Sequence, residues 1–176
     1  MPFTPWHMGP GILFKAFLQG SFSLMVFGWS QIVTDIQPLW VLVAGHGHLH
    51  GFTHTYIGAT VLAVFSALSG KYLAALGLRM LGLSQFLPVS WHVAFVSAGI
   101  GTYSHVVLDS VMHADLEPFW PFTSSNGLLG LLSVEALHWF CLACGALGGA
   151  LYFFLAGRHA RHNNSLNTDG PDGPLS

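Results

Sequence analysis

Charge is what this sequence has least of. Five lysines and arginines and seven aspartates and glutamates occur in 176 residues, so charged side chains make up 7%, against roughly 25% in a soluble domain. That is too little to solvate a water-soluble globule of this size, which excludes a soluble enzyme and a disordered chain. With a formal charge of −2 there is no basic surface for nucleic acid either. Cysteine is equally sparse. Cys141 and Cys144 share one apolar run and build no disulfide framework. No internal repeat is visible, which argues against transporter folds built from paired halves.

What is abundant is apolar. Hydrophobic residues reach 52%, with 14 phenylalanines and 21 glycines, and mean hydropathy is +0.58. Crossing a hydrocarbon core as helix takes about 20 apolar residues. Three stretches qualify: 51–70, 91–112 and 128–156. The N-terminal third is shorter in its runs. Residues 11–20 and 22–33 are apolar, a Gly20-Ser21 break parts them, and Pro38 interrupts the chain soon after Asp35. They predict a helical hairpin that enters the bilayer without spanning it. The expected fold is all-α: a polytopic membrane helical bundle of about three full spans plus that hairpin, occupying residues 1–157. The polar stretch 158–176, rich in Asn, Gly and Pro, predicts a disordered tail.

The few ionisable residues are sorted. Lys71 and Arg79 are expected in the loop between the first two spans, and Arg158 and Arg161 come after the third, with Lys15 low in the hairpin. The positive-inside rule makes that face, and the tail, cytoplasmic. Histidines and carboxylates gather at the other face: His46, His48, His50 and His54 around the start of the first span, then His105, Asp109, His113, Asp115 and Glu117 at the close of the second. Asp35 and His7 fall at the same level. Such side chains are costly against lipid and are expected to face the bundle interior.

Eleven histidines turn that sorting into chemistry. His105 and Asp109 stand one helical turn apart on one face, and His113 continues it. Gly51 and Thr53 read as a turn and an N-cap, placing His54 in the first helical turn and His50 just outside it. Asp35, in an apolar segment with no base nearby, needs a metal or a histidine as partner. His7 precedes the hairpin. An Asp–His pair pinning two helices is the plain reading of His105 and Asp109, and a wet polar loop that of His46 and His48. Glu135 and His138 form a single Glu-x-x-His, where a ferritin-like centre needs two copies and two further glutamates. Gly145 and Gly149 beside the cysteines suggest helix packing. Mixed His and Asp donors without a Cys partner set favour zinc or a similar borderline metal, and aspartates that bridge or back histidines also fit a site of two or more metals.

On these residues the chain resembles a family of bacterial inner-membrane metal-dependent hydrolases, sometimes described as LexA-binding. The matching stretches are FTPWH (3–7), TDI (34–36), LHGFTHT (49–55), His105-x-x-x-Asp109-Ser110 and WPF (120–122), within about residues 1–125. The resemblance implies a divalent metal, with His7, Asp35, His50 or His48, His54, His105 and Asp109 as ligands. It also implies a multi-pass protein acting on a phosphoester or lipid substrate at the bilayer. Asp109, Asp35 or Asp115 would take the proton from the attacking water. Gln37 stands where the family usually carries a second aspartate. Leu49 and His50 stand where it carries His-Arg. The order His, Asp, His, His-x-x-x-Asp is also distantly similar to the metal sites of zinc-dependent phospholipases C and P1-type nucleases. A rival class remains: a non-catalytic metal or haem holder, or a transport protein, with His54 and His105 opposed across the bundle as the haem ligands.

Overall fold

The computed structural model describes residues 5–168, with side chains to Arg158. The described chain is all-helical and contains no strand. Its helices are α1 (Met8–Leu18), α2 (Leu24–Thr34), α3 (Ile36–Ala44), α4 (Tyr56–Met80), α5 (Trp91–Met112) and α6 (Val134–Thr168), joined by short 3-10 turns.

Local chemistry sets most boundaries. α1 ends into a 3-10 turn, Gln19–Ser21, at the expected Gly20-Ser21 break. Ser23 caps α2, its side chain accepting from the Val26 N–H. Pro38 explains why α2 stops at Thr34. Its ring excludes the carbonyl four residues back, which is that of Thr34, and it offers no N–H in return. Asp35 therefore sits at the corner between α2 and α3, where a side chain escapes the helical stacking of its neighbours.

Two packed groups result. α1 lies chiefly along α6, whereas α2 lies across the antiparallel pair α4 and α5. The N-terminal elements thus turn as a hairpin but dock on different partners. Small residues allow the close approach: Ala67, Ala74, Ala94 and Ala98 surround Val26 in one buried cluster, letting the helix backbones come near one another. A second cluster joins Leu108 and Val111 of α5 to Leu137 and Cys141 of α6. Phenylalanines and leucines point outward instead, among them Phe65, Leu76, Phe140 and Phe153. α3 is apolar and largely uncovered, with Trp40 and Val43 outward.

Among the described residues two helices qualify by length and apolarity to cross a membrane, Tyr56–Met80 and Val134–Arg158. α5 coincides with the expected second span and has the length. The Ser97, Thr102, His105, Asp109 and Ser110 that it buries lower its hydropathy beneath that of the other two. Other boundaries differ from expectation. The first long helix begins five residues later than 51 and runs to Met80, because Thr55, not Thr53, is its N-cap, accepting from the Gly58 N–H at 2.9 Å. Lys71 and Arg79 consequently lie within α4 rather than in a loop. α6 begins at Val134, since 128–133 are taken up by turns. It continues to Thr168, through the first part of the expected tail. Residues 169–176, like Phe3 and Thr4 of the FTPWH stretch, lie outside the described residues.

Candidate metal centre

Antiparallel packing brings the start of α4 against the end of α5, sealed by the Tyr56 N–H donating to the Pro118 carbonyl at 2.8 Å. The α2–α3 corner and the turn before α1 reach the same level. Their histidines and aspartates meet there. His105 Nε2 lies 3.3 Å from Asp35 Oδ1 and 3.3 Å from Asp109 Oδ2. His54 Nε2 lies 3.3 Å from Asp109 Oδ2 and 3.9 Å from Asp35 Oδ1. His7 Nε2 approaches the other oxygen, Asp109 Oδ1, at 3.4 Å. All five residues are buried, His54 and His105 to 0% and 1% exposure.

The outer nitrogens decide how these rings are oriented. His105 Nδ1 donates to Gln31 Oε1 at 2.7 Å, and Gln31 is itself held by donating from Nε2 to the Gly101 carbonyl at 2.9 Å. His54 Nδ1 faces Thr53 Oγ1 at 3.0 Å. Each ring is thus pinned at Nδ1 and turns Nε2 inward, the arrangement that backing partners give to metal-binding histidines. Among the described residues, His54 Nε2 and His105 Nε2 are two of three buried side-chain polar atoms with no hydrogen-bond partner. Although carboxylate oxygens lie at 3.3 Å, neither makes a directed hydrogen bond. Where Nε2 carries a lone pair, it repels the carboxylates unless a positive charge sits between them.

Among the described residues no lysine or arginine supplies it. Lys15 donates to the Gln19 and Phe22 carbonyls, and Lys71 to the Val89 carbonyl, at the opposite end of the helices. One ligand atom from each of Asp35, His54, His105 and Asp109 falls within 4.8 Å of the others. An ion about 2.0–2.2 Å from each donor bridges that span with small side-chain adjustments. The group can hold a metal ion.

No protein-family model matches this chain, and neither a curated protein nor a solved structure matches it. The site therefore rests on its own geometry.

The remaining residues divide around it. His50 is buried at the rim, its ring centroid 5.0 Å from that of His54. Its Nδ1 donates to both Asp115 oxygens, at 3.0 and 2.9 Å. Burial opposes ionisation of Asp115, but that hydrogen bond outweighs it and holds the carboxyl below its ordinary range. His46 and His48 are exposed, so of the two alternatives His50 is the one at the site. Burial, with His105 close by, pushes His7 down to about 4, which leaves its ring neutral with a lone pair to offer. Glu135 is exposed, and His138 stacks on Trp6 at 5.4 Å, away from the cluster. Cys141 and Cys144 are free thiols.

Two residues carry more than their sequence signal suggested. Gln37 accepts from the Thr53 N–H at 3.0 Å and donates to the His48 carbonyl at 3.5 Å, bracing the loop that bears His50 and His54. Gln31, one turn before Asp35, orients His105, and a helical-face reading from Asp35 would have found it. Beside the rim opens a cleft of about 430 Å3 lined by His50, Asp115, Glu117, Gln37, Phe52 and Trp120 among others.

Proposed function

We propose that this protein is a membrane-embedded, metal-dependent hydrolase of the bacterial inner membrane. In this reading α4, α5 and α6 cross the bilayer and Asp35, His54, His105 and Asp109 hold a divalent ion, zinc by donor chemistry. The observation that carries it is the pair of buried, unpartnered Nε2 atoms of His54 and His105 facing two aspartates. Two aspartates and several imidazoles buried together are what a bound cation explains. The sequence resemblance points the same way.

When bound, such an ion supplies Lewis acidity, polarising a phosphoryl or acyl oxygen and making water acidic near neutral pH. The chain's own residues do the rest. Gln31, Thr53 and Asp115 keep the imidazoles turned inward. Asp35 and Asp109 are buried among histidine nitrogens, whereas Asp115, which also holds His50, is 55% exposed at the cleft and would take the proton from the attacking water. The cleft admits a phosphoester or lipid head, and Phe52 and Trp120, exposed on its wall, meet apolar groups. The bases at the far end favour a cytoplasmic orientation for that end.

A haem-binding reading fares worse. His54 and His105 have ring centroids 5.3 Å apart and aim at the same carboxylate oxygen, leaving no room for a porphyrin between them. The test is hydrolysis of a short-chain phosphodiester and of an acyl ester by detergent-purified protein. Activity lost on chelation, restored by zinc and absent in Asp109→Asn is expected. Metal-loaded protein that cleaves neither, or cleavage indifferent to chelator, would sink the proposal.

A further inference from the structure

Asp109 belongs to two sets of donors. Besides the group with Asp35, His54 and His105, one ligand atom each from His50, Asp109 and His113 falls within 4.8 Å of the others. We infer that His50, His113 and Asp109 form a second metal site, with Asp109 bridging two divalent ions. This rests on the reading that the first group holds a metal.

Three observations carry it. A carboxylate shared by two donor sets is the geometry of two-metal sites, whose ions sit about 3.5–4 Å apart. His50 is prepared for ligation: Nδ1 donates to Asp115 and leaves Nε2 as the ligating nitrogen, the carboxylate–histidine arrangement that backs metal ligands. His113 is held at the site from its main chain. Its N–H donates to the Asp109 carbonyl at 2.9 Å, and its own carbonyl accepts from Asn126 Nδ2 at 3.3 Å. Its ring lies against that of His50, centroids 4.1 Å apart.

The two sets differ in access. The first is sealed, all four members buried, whereas His113 is half-buried and His50 borders the cleft. An ion on the outer set keeps positions open toward the cleft, which is what a catalytic site requires and a structural one lacks. The outer ion is the one that meets substrate, and the inner one holds the helices and Asp109 in place.

Full-length protein in detergent, equilibrated with zinc alone and freed of excess, tests this by metal-to-protein ratio. Wild type is expected to hold two ions, and His113→Ala and His50→Ala one. His46→Ala, on the exposed loop, is expected to keep two. Circular dichroism of each variant checks that the helices remain, and His113→Gln serves if His113→Ala does not fold. One ion in wild type, unchanged in His113→Ala, would overturn the second site and leave the first. Two ions retained in folded His113→Ala and His50→Ala would also overturn it. No ion in any of them would overturn both readings.

Discussion

Gly148 in α6 makes the α1–α6 contact a test of how the site is held. A Cβ built there would lie 2.5 Å from the Leu13 nitrogen and 2.6 Å from its Cα, both backbone atoms of α1. Backbone has no rotamer with which to yield, so α1 must move by roughly 1 Å to restore ordinary contact, an overpacking that costs about 1–3 kcal/mol. Gly149, its neighbour, has nothing within 4 Å of the same position. There alanine should be neutral or gain up to about 1 kcal/mol from helix propensity. Gly148→Ala should therefore unfold several degrees below wild type and Gly149→Ala at or above it, as read by thermal melting in detergent. At roughly 2–4 °C per kcal/mol for a chain of this size, the pair should separate clearly. The displacement also reaches His7, which precedes α1 and lies 3.4 Å from Asp109, so metal should bind more weakly to Gly148→Ala alone. Equal melting temperatures for the two variants would refute the packing on which this reasoning stands.

Backing residues should matter as well as ligands. Asp115→Asn keeps an acceptor for His50 but removes its charge, and Gln31→Leu leaves His105 Nδ1 with no acceptor. Each should weaken zinc binding by about 10- to 100-fold, read by competition with a chromophoric chelator, and unaltered affinity in both would contradict the orientation argument. Stripping the metal should lower thermal stability, since a ligand at 100 times its Kd stabilises the native state by about 2.7 kcal/mol. Melting of chelated and zinc-restored protein checks this, and coincident curves would count against an ion bound between α2, the α4 cap and α5.

How far the sequence carries depends on the scale of the signal. The apolar runs locate α4, α5 and α6 because a long unbroken apolar stretch is itself a helix signal, and the Gly20-Ser21 break and Pro38 mark the hairpin and its end. The convergence of His7, Asp35, His54, His105 and Asp109 is foreshadowed by their sorting to one end of the spans. Which cap is used is not: Thr53 and Thr55 are equivalent in sequence, and only the 3-10 turn at Phe52–His54 chooses Thr55. The glycine stripe misleads for a related reason. Gly145 and Gly149 have the expected spacing, yet α1 crosses α6 so that Gly145 meets Gly9 and Gly148 meets Leu13. Gln37 carries no sequence signal, because its amide acquires a role only when the Thr53 N–H arrives from a distant element.

Everything turns on whether a cation occupies the space between His54, His105, Asp35 and Asp109. Elemental analysis of detergent-purified wild type beside His105→Ala and Asp109→Asn measures this directly. At least one equivalent of divalent metal in wild type, falling sharply in both variants while circular dichroism keeps its helical form, is the predicted result. Metal content that is equal across the three, or absent from folded wild type equilibrated with zinc, would contradict the account and leave the cluster as a set of buried histidine–aspartate pairs that join helices.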